Sequence, residues 1–292
     1  MPSRQRLLIA GYGRLGRALL QASAAERHGF CITALRRSPA DIPGADTIAA
    51  DLGKSSELLQ LGEQPFDCVV YCPAPDQRSA DAYRQTYLYG LQNLLACGAL
   101  KPDGKLIFVS STAVYGQDDG SYVDEQSSTR PSAFNGRTLL QAEQHALHWP
   151  ASKSDRRCCV RLAGLYDQLP ARYLDMLTHT DPDAQKLQRW SNRIHLKDAA
   201  RLILLLLSQA TMPAVINGVD NEPSRLSDVL AWLAQQRGIA WPLADCDAGS
   251  STGDACGKRI SNALAHSLGF VPVYPSYREG FSNQPIPAST EQ

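Results

Sequence analysis

The chain has 292 residues, of which 43% are apolar and 20% charged, so it has the composition of a globular protein and is long enough for a full α/β core with a smaller lobe. Lys and Arg together number 29, as do Asp and Glu, and this zero net charge argues against a surface built for nucleic acid or anionic membranes. The apolar run at 7–10 is too short for the core of a signal peptide, and the run at 202–207 is too short to span a bilayer, so we expect a cytoplasmic protein without membrane contact.

Short apolar segments alternate with segments of helical periodicity along the chain. The pattern predicts strands at residues 6–10, 30–36, 46–49, 67–72, 105–110, 157–162 and 214–217, and helices at residues 14–25, 54–60, 79–98, 137–148, 197–209 and 225–237. Because strands that alternate with helices form parallel sheets covered on both faces, the predicted fold class is α/β, a Rossmann-like doubly wound parallel sheet with a smaller C-terminal substrate lobe.

The predicted strands become sparse after about residue 165. We therefore predict a dinucleotide-binding Rossmann domain at 1–165 and a smaller substrate lobe at 166–292, with some elements of that lobe returning to the main sheet. Residues 282–292 are expected to form a loosely held tail.

A glycine-rich turn connects the first predicted strand to the first predicted helix. It fits the pattern G-x-G-x-x-G and comprises Gly11, Tyr12, Gly13, Arg14, Leu15 and Gly16. In such a motif one glycine makes the tight turn, the second lets a pyrophosphate approach the backbone, and the third lets helix and strand pack closely. The phosphates then lie at the positive end of the helix dipole. The motif therefore predicts a dinucleotide site, the alternative being a glycine-rich turn without a ligand.

The ends of the second and third strands refine the cofactor prediction. Arg36 and Arg37 follow the second strand, where a protein that binds NAD usually has an acidic residue for the ribose hydroxyls. Arginine there suits a 2′-phosphate, which favours NADP over NAD, unless the arginines simply point into water. Asp51 and Leu52 follow the third strand and are predicted to lie beside the adenine, although Asp51 could equally cap the helix that starts near Ser55.

The fourth strand ends at a cysteine, and the chain has eight of them, at positions 31, 68, 72, 97, 158, 159, 246 and 256. Because no C-x-x-C occurs and most cysteines lie in apolar runs, we predict buried, reduced thiols. The spacing of Cys and His residues predicts no metal site. The backbone at Cys72, Pro73 and Ala74 is expected to pass close to the cofactor ribose.

Five segments together resemble a known family. Residues 110–116 follow the fifth strand and read S-S-T-A-V-Y-G, and further matches follow in order at 161–166, 192–198, 216–220 and 257–270. As a set they are similar to the extended short-chain dehydrogenases, the NAD-dependent epimerase/dehydratase group, and the last segment is similar to one atypical branch. The resemblance spans nearly the whole chain.

The resemblance implies roles for several residues. It places Ser110 and the post-strand segment Leu162, Ala163, Gly164 and Leu165 beside the cofactor. Ser111 takes the position of the family's assisting Ser or Thr, with Thr112 adjacent to share that role. Tyr115 is the next candidate for a catalytic group, the alternative being a ring packed beneath the site with its hydroxyl bonded.

The chain departs from the family at the residues that carry its chemistry. None of the 11 tyrosines has a lysine four residues later, so the family's Tyr-x-x-x-Lys pair is absent. The register of the neighbouring residues places Asn135 where Tyr would be and Leu139 where Lys would be. Asparagine cannot exchange a proton near neutral pH, and leucine cannot donate a hydrogen bond. Two functions therefore stay open: an NAD(P)-dependent oxidoreductase or epimerase-like enzyme with a non-standard active site, or a catalytically inactive NAD(P)-binding sensor or interaction module.

By the same resemblance the substrate is a small polar molecule, with a nucleotide sugar as the family's example. The residues predicted to contact it are Arg137, Asn192, Arg193, His195, Lys258 and Arg259. The alternatives are a solvated Arg137, a structural His195 with Asp198 capping the helix at 197–209, and a solvated basic turn at Lys258 and Arg259. A homodimer is expected to form through the helices at 79–98 and 137–148, as family members often do.

Overall fold

The computed structural model describes residues 4–149, 153–178, 187–240 and 256–282. Its strands are, in chain order, β1 (Arg6–Ala10), β2 (Cys31–Arg36), β3 (Asp46–Ala49), β4 (Phe66–Tyr71), β5 (Leu100–Ser111), β6 (Tyr122–Val123), β7 (Arg157–Leu162), β8 (Gly164–Tyr166), β9 (Trp190–Ser191), β10 (Arg193–His195), β11 (Val215–Gly218), β12 (Ser224–Arg225) and β13 (Arg259–Ile260). The helices are α1 (Arg14–Ala25), α2 (Ser55–Glu63), α3 (Ala80–Tyr83), α4 (Gly90–Ala96), α5 (Phe134–Leu147), α6 (Ala171–Thr178), α7 (Leu196–Ser208), α8 (Leu226–Arg237), α9 (Ala263–Ser267) and α10 (Tyr277–Ser282).

Seven of the described strands form one parallel sheet in the order β11-β7-β5-β4-β1-β2-β3. They are the seven strands predicted from the sequence, and every strand end lies within one residue of its predicted position, except that β5 begins at Leu100 rather than at 105. The predicted fold class, a Rossmann-like doubly wound α/β sheet, is confirmed. From β1 the strand order runs outward to β2 and β3 on one side and to β4, β5, β7 and β11 on the other, so the winding direction changes between β1 and β4. In doubly wound sheets, ligands bind at this point, at the carboxyl ends of the strands.

Helices cover both faces of the sheet because side chains alternate along each strand. Leu7 and Ile9 of β1 pack with α1 and α7 in one apolar cluster, whereas Leu8 and Ala10 pack with α2, α4 and α5 in the other. The aliphatic run at 202–207, predicted to be too short for a membrane span, lies within α7 and is mostly buried against the sheet and α1. None of the described helices is long and apolar enough to cross a membrane.

A π-helical segment, Arg84–Tyr89, interrupts the long helix predicted at 79–98 and separates α3 from α4. Its cause is a tyrosine on the sheet below. The Tyr71 hydroxyl donates to the Thr86 carbonyl oxygen at 2.5 Å, and the Gly90 amide, which would bond that carbonyl in an α-helix, donates to Gln85 instead. A Cβ atom at Gly90 would lie 2.5 Å from the Tyr71 hydroxyl, so only glycine leaves room for it.

The second half of the chain builds a smaller cluster and also completes the main sheet. β11 pairs with β7, as predicted for an element that returns to the sheet. Outside the sheet, a third apolar cluster unites residues of α8 with Tyr166, Tyr277 and Phe281. Short two-stranded pairs join β8 to β10, β9 to β12 and β6 to β13. The division at residue 165 stays a prediction, and the predicted tail beyond residue 282 and Cys246 lie outside the described residues. No disulfide bond joins two of the described cysteines.

Candidate functional site

The glycine turn lies at the carboxyl end of β1, and its three glycines occupy three different environments. Gly11 has φ +96°, and a Cβ atom there would overlap the Pro73 backbone at the end of β4. At Gly16 a Cβ atom would lie 3.1 Å from the Ile9 side chain, so this glycine lets α1 pack closely on β1. At Gly13 a Cβ atom would meet no heavy atom within 4 Å, so the space beside this residue is open.

The backbone amides in the first turn of α1 face this open space and have no side-chain cap among the described residues. Gly13 is the N-cap, no side chain caps the helix, and its first turn holds no acidic residue. The amides of a helix's first turn have no intrahelical acceptors, and they favour an anion at that end. The cradle therefore fits a phosphate group: the backbone comes close, the donors are free, and no protein atom fills the space beside Gly13.

The two arginines after β2 differ in their partners. Arg37 forms a bidentate ion pair with Asp76 in which the guanidinium donates two hydrogen bonds, one of them 2.6 Å long. Hydrogen bonding to this carboxylate raises the Arg37 pKa. Both side chains are more than half exposed. The Arg36 guanidinium makes no hydrogen bond or ion pair with any residue in the described parts of the chain, and only its backbone is bonded, to the Ala50 amide. Arg36 is thus the available cation at this position, and Arg37 becomes available when Asp76 releases it.

The segments after β3 and β4 are held by hydrogen bonds to the backbone. The Asp51 carboxylate accepts from the Gly53 amide at 2.9 Å, and because the N-cap of α2 is Lys54, the alternative that Asp51 caps this helix is wrong. Leu52 accepts from the Asn93 side chain through its carbonyl. Cys72 donates from its thiol to the Gly11 carbonyl, and burial raises its pKa to about 12, which leaves it unreactive near neutral pH. Ala74 is exposed.

The turn after β5 contacts the start of α5. Ser111 accepts from the Ala113 amide at 3.2 Å and so caps the 3₁₀ turn that begins at Thr112. A Cβ atom at Gly136 would overlap the Ala113 carbonyl, so α5 begins directly against this turn. Asn135 is half-buried there, and its amide makes no hydrogen bond to any residue the structure describes. The turn that holds Ser111 and Thr112 therefore lies against the start of α5, which holds Asn135.

Leu139, at the position of the family's lysine, is part of the hydrophobic core. Its side chain is only 3% exposed and packs in the apolar cluster beneath the sheet. One turn earlier, Asn135 is half-buried at the start of α5. Positions 135 and 139 therefore differ from each other in solvent exposure as well as in residue type. No cationic group can take this place without displacing core packing.

A buried polar network lies under the strand ends. Tyr115 donates to the Asn217 side chain at 2.8 Å and accepts from Arg161 at 3.0 Å. Arg161 is paired with Glu143 at 2.7 Å, and the Ser110 hydroxyl donates to Glu143 at 2.6 Å. Tyr115 is 2% exposed, and burial raises its pKa, which favours the packed alternative over a catalytic role. The Ser110 hydroxyl is likewise used within the network, which leaves its backbone as the group that can face a cofactor.

Most of the predicted substrate contacts are used within the protein. Asn192 donates to the Lys258 carbonyl and accepts from the Ile260 amide, both at 2.8 Å, so both ends of its amide are bonded. Lys258 donates to the Tyr115 carbonyl at 2.8 Å, and burial lowers the pKa of its amine. These contacts anchor residues 258–260 on the main domain, so the alternative of a solvated basic turn does not describe this segment.

The arginines of this group also have protein partners. Arg259 donates to the Gly120 carbonyl, and its guanidinium lies 4.0 Å from the Tyr122 ring centroid and 5.0 Å from that of Trp190. Arg193 is 4% exposed and lies over the Tyr277 ring. Arg137 is exposed and donates to a nearby backbone carbonyl, that of Ser132, and so remains available for a charged ligand.

His195 is the N-cap of α7. Its Nδ1 accepts from the Lys197 amide at 3.2 Å, its ring stacks on Tyr274 with centroids 3.7 Å apart, and burial lowers its pKa, so the imidazole is neutral. The prediction that Asp198 caps this helix is wrong. Asp198 instead accepts from the amides of Val273 and Tyr274 at 2.9 and 2.8 Å and holds that loop.

The post-strand segment is tied to its neighbours through the backbone. Ala163 donates to Gly218 at 3.0 Å, Gly164 donates to Asn192 at 3.2 Å, and Leu165 is partly exposed. Leu162 closes β7 within the core.

Sequence reasoning missed two acidic residues, Asp76 and Asp167, which pair with Arg37 and Arg14. Both partners lie far away in the chain, so no local pattern could have identified them.

Comparison with known proteins agrees with this geometry. The family model for the NAD dependent epimerase/dehydratase family matches residues 7–217. Protein YeeZ of Escherichia coli K12 is 27% identical over 212 residues, which cover 70% of this chain and 73% of YeeZ. A solved structure from Methylobacillus flagellatus, assigned to the NAD-dependent epimerase/dehydratases, is 30% identical with a TM-score of 0.78 and covers 95% of this chain and 96% of its own.

A more distant structure shares the fold. MoeE5 in complex with UDP-glucuronic acid and NAD is 21% identical, has a TM-score of 0.71, and covers 96% of this chain and 97% of its own. Because the family model spans well over half of the sequence, the chain belongs to the NAD dependent epimerase/dehydratase family. The likeness to MoeE5 concerns the fold alone.

Proposed function

We propose that this protein binds a nicotinamide dinucleotide at the glycine turn and acts as an epimerase-like oxidoreductase with a non-standard active site. The observation that carries the proposal is the cradle at Gly13, where open space faces the uncapped amides of α1. Family membership supports the same ligand, since the family is defined by its dependence on NAD.

The cofactor would supply a carbon that accepts or donates hydride, and this chain's residues would position the substrate. Ser111 and Thr112 carry hydroxyls and Asn135 an amide, all at the edge where β5 ends and α5 begins. These groups can bond and orient a substrate hydroxyl or carbonyl, but none of them accepts a proton near neutral pH. The proton of an oxidised hydroxyl must therefore pass to water, and we expect oxidation to be slow and to accelerate as the pH rises. A nucleotide sugar, the ligand class in the MoeE5 complex, is the proposed substrate.

NADP is the proposed cofactor in preference to NAD. The Arg36 guanidinium has no partner among the described residues and can bind a 2′-phosphate. Arg37 is held by Asp76 at the surface, where a phosphate dianion could displace the single carboxylate.

A second candidate function, binding without turnover, is favoured by one observation. Leu139 replaces the lysine of the family and belongs to the packed core, so the site cannot regain that cation by a side-chain movement. A sensor or interaction module would need only the cradle.

The test combines calorimetric titration with NADPH and NADH, after any bound nucleotide has been stripped, with variants of the cradle. Gly13→Ala and Gly13→Val fill space that no protein atom occupies, so we expect the fold to persist and dinucleotide affinity to fall tenfold or more. Ala24→Val is the control, because it adds side-chain volume at an exposed position of α1 that lies at the other end of the helix from the turn. Unchanged affinity in the Gly13 variants would refute the proposed cradle.

Two further measurements separate the finer proposals. Changing Arg36 and Arg37 together to Ala should weaken NADPH far more than NADH, and equal effects would rule out the 2′-phosphate assignment. The loaded protein is then screened with nucleotide sugars by nicotinamide absorbance. Steady turnover that falls in Ser111→Ala and Asn135→Ala supports the enzyme, whereas tight binding without turnover by any compound supports the second candidate.

A further inference from the structure

A cavity of about 370 Å³ lies between α1 and the start of α7, on the face of the sheet that these two helices cover. Arg14, Arg17 and Gln21 line it from α1, where their spacing places them on one side of the helix. His195 and Lys197 line it from the start of α7. Of the predicted dinucleotide cleft it shares only Arg14, since Cys72–Ala74, Ser111 and Asn135 do not line it.

The cavity carries a net positive charge. Arg14 is paired with Asp167 at its rim. The guanidinium of Arg17 and the ammonium of Lys197 form no hydrogen bond or ion pair within the described ranges, and Lys197 lies only at 6.0 Å from the Tyr274 ring centroid. Two cations from two different helices therefore face the same space without an acidic partner.

The ring N–H of His195 adds a hydrogen-bond donor to these charges. His195 is 4% exposed, and its Nδ1 accepts from the Lys197 amide, which requires the ring proton to be on Nε2. That N–H finds no acceptor among the residues the structure describes, although the ring lines the cavity. A ligand in the cavity can therefore accept a hydrogen bond from this N–H.

We propose that this cavity binds the phosphate group of a small phosphorylated molecule, separately from the dinucleotide. Arg17, Lys197 and His195 supply donors from different directions, which suits the oxygens of a tetrahedral phosphate. The volume lies in the range of small-molecule sites and leaves room for an organic group about the size of a sugar beside Gln21 and Tyr274.

The test measures the midpoint of thermal unfolding in inorganic phosphate, in glucose 6-phosphate and in unphosphorylated glucose, at matched ionic strength. A ligand that binds only the native state raises this midpoint with concentration. We expect both phosphate compounds to raise it and glucose to have no effect. The double variant Arg17→Gln/Lys197→Gln should bind the phosphate compounds at least tenfold more weakly and NADPH unchanged.

The matched control is Arg27→Gln/Arg130→Gln, which removes the same charge from two exposed positions outside the cavity. It should bind both phosphate compounds as the parent protein does. No phosphate effect in the parent protein, or equal losses in the two double variants, would overturn the proposal. A tenfold loss of NADPH affinity in Arg17→Gln/Lys197→Gln would also overturn it, because the cavity would then belong to the dinucleotide cleft. Failure of the cradle variants at Gly13 would leave this result unaffected, so the two proposals are distinguishable.

Discussion

Single residues at the candidate site fall into two groups. Some have open space beside them or donors with no partner among the described residues, and others have side-chain polar atoms that are bonded within the protein. Gly13, Arg36 and Asn135 have space or donors without protein partners, whereas Tyr115 and Asn192 use all their polar atoms internally. The sequence shows residue types and positions, and it identified both groups as candidates. It could not separate them, because their partners lie 46 to 143 residues away for Tyr115 and 66 to 68 residues away for Asn192.

Asp76 is predicted to set the choice between NADP and NAD. Its carboxylate occupies the Arg37 guanidinium in a bidentate pair, and so competes with any 2′-phosphate for that cation. Asp76→Asn should weaken this competition and tighten NADPH binding several-fold while leaving NADH nearly unchanged, as measured by calorimetry. Asp81→Asn, which breaks the similarly exposed surface pair with Arg84, is the control. Equal effects on the two nucleotides would show that Arg37 does not contact the 2′-phosphate.

Among the elements, the helix that contains the π-helical segment shows what periodicity could not predict. The spacing of apolar residues at 79–98 predicted one long helix, and the helix is present, but its register slips by one residue at Gly90. The slip arises from the Tyr71 hydroxyl on β4, which takes the Thr86 carbonyl. A contact between a strand and a helix has no signature in the helix's own sequence. The seven sheet strands, by contrast, were predictable because most of them are short and rich in apolar residues.

This explanation of the π-helical segment predicts a coupling between Tyr71 and Gly90. Gly90→Ala should destabilise the protein by about 1–3 kcal/mol, since the new methyl group overlaps the Tyr71 hydroxyl. Tyr71→Phe should cost about 1 kcal/mol for the lost hydrogen bond. In the double variant the overlap is gone, so the free energy of unfolding, measured in urea, should exceed the additive value by about 1 kcal/mol.

The control cycle pairs Gly90→Ala with Tyr115→Phe. The Tyr115 hydroxyl bonds Asn217 on β11, which two other strands separate from β4. These two substitutions should be additive. A coupling as large as that with Tyr71 would mean that the hydroxyl of Tyr71 is not what displaces the helix register.

At the scale of the whole molecule, a buried acid joins the smaller cluster to the sheet. Asp220 follows β11 and is 2% exposed, its amide donates to the Arg193 carbonyl at 2.8 Å, and one carboxylate oxygen has no partner among the described residues. Burial raises its pKa to about 8, against the partial compensation of the Arg193 charge. Asp220 was not among the predicted site residues, because its burial depends on packing between distant segments.

The pH dependence of stability follows from this shift. Between about pH 4 and pH 8 the folded protein keeps a proton on Asp220 that the unfolded chain has lost, so this residue's contribution to stability falls as the pH rises. The slope is at most about 1.4 kcal/mol per pH unit. Asp220→Asn should remove this fall, so its unfolding free energy, relative to the parent protein, should increase from pH 5 to pH 8 in denaturant titrations. Asp124→Asn, an exposed acid, should track the parent, and parallel curves for all three proteins would contradict the assignment.

The predicted homodimer stays a prediction. The outer side of α5 carries an open cavity of about 490 Å³, lined by Leu88, Gln141, Gln144, His145, His148 and Trp149, on the helices expected to form the interface. Light scattering measures the molar mass of the protein in solution and so tests whether the predicted homodimer forms.

The pairing of β13 with β6 has a consequence for how the protein is made. Arg259 lies beside Tyr122, and the carbonyl of Tyr115 and both ends of the Asn192 amide are bonded only by residues 258–260. A ribosome delivers the strands β1 to β7 long before those residues, so the nascent chain exposes these groups while most of the sheet can already form. Translation that stalls after β11 but before residue 258 therefore leaves a complete seven-stranded sheet beside an unpaired β6, a state that chaperones and proteases can recognise.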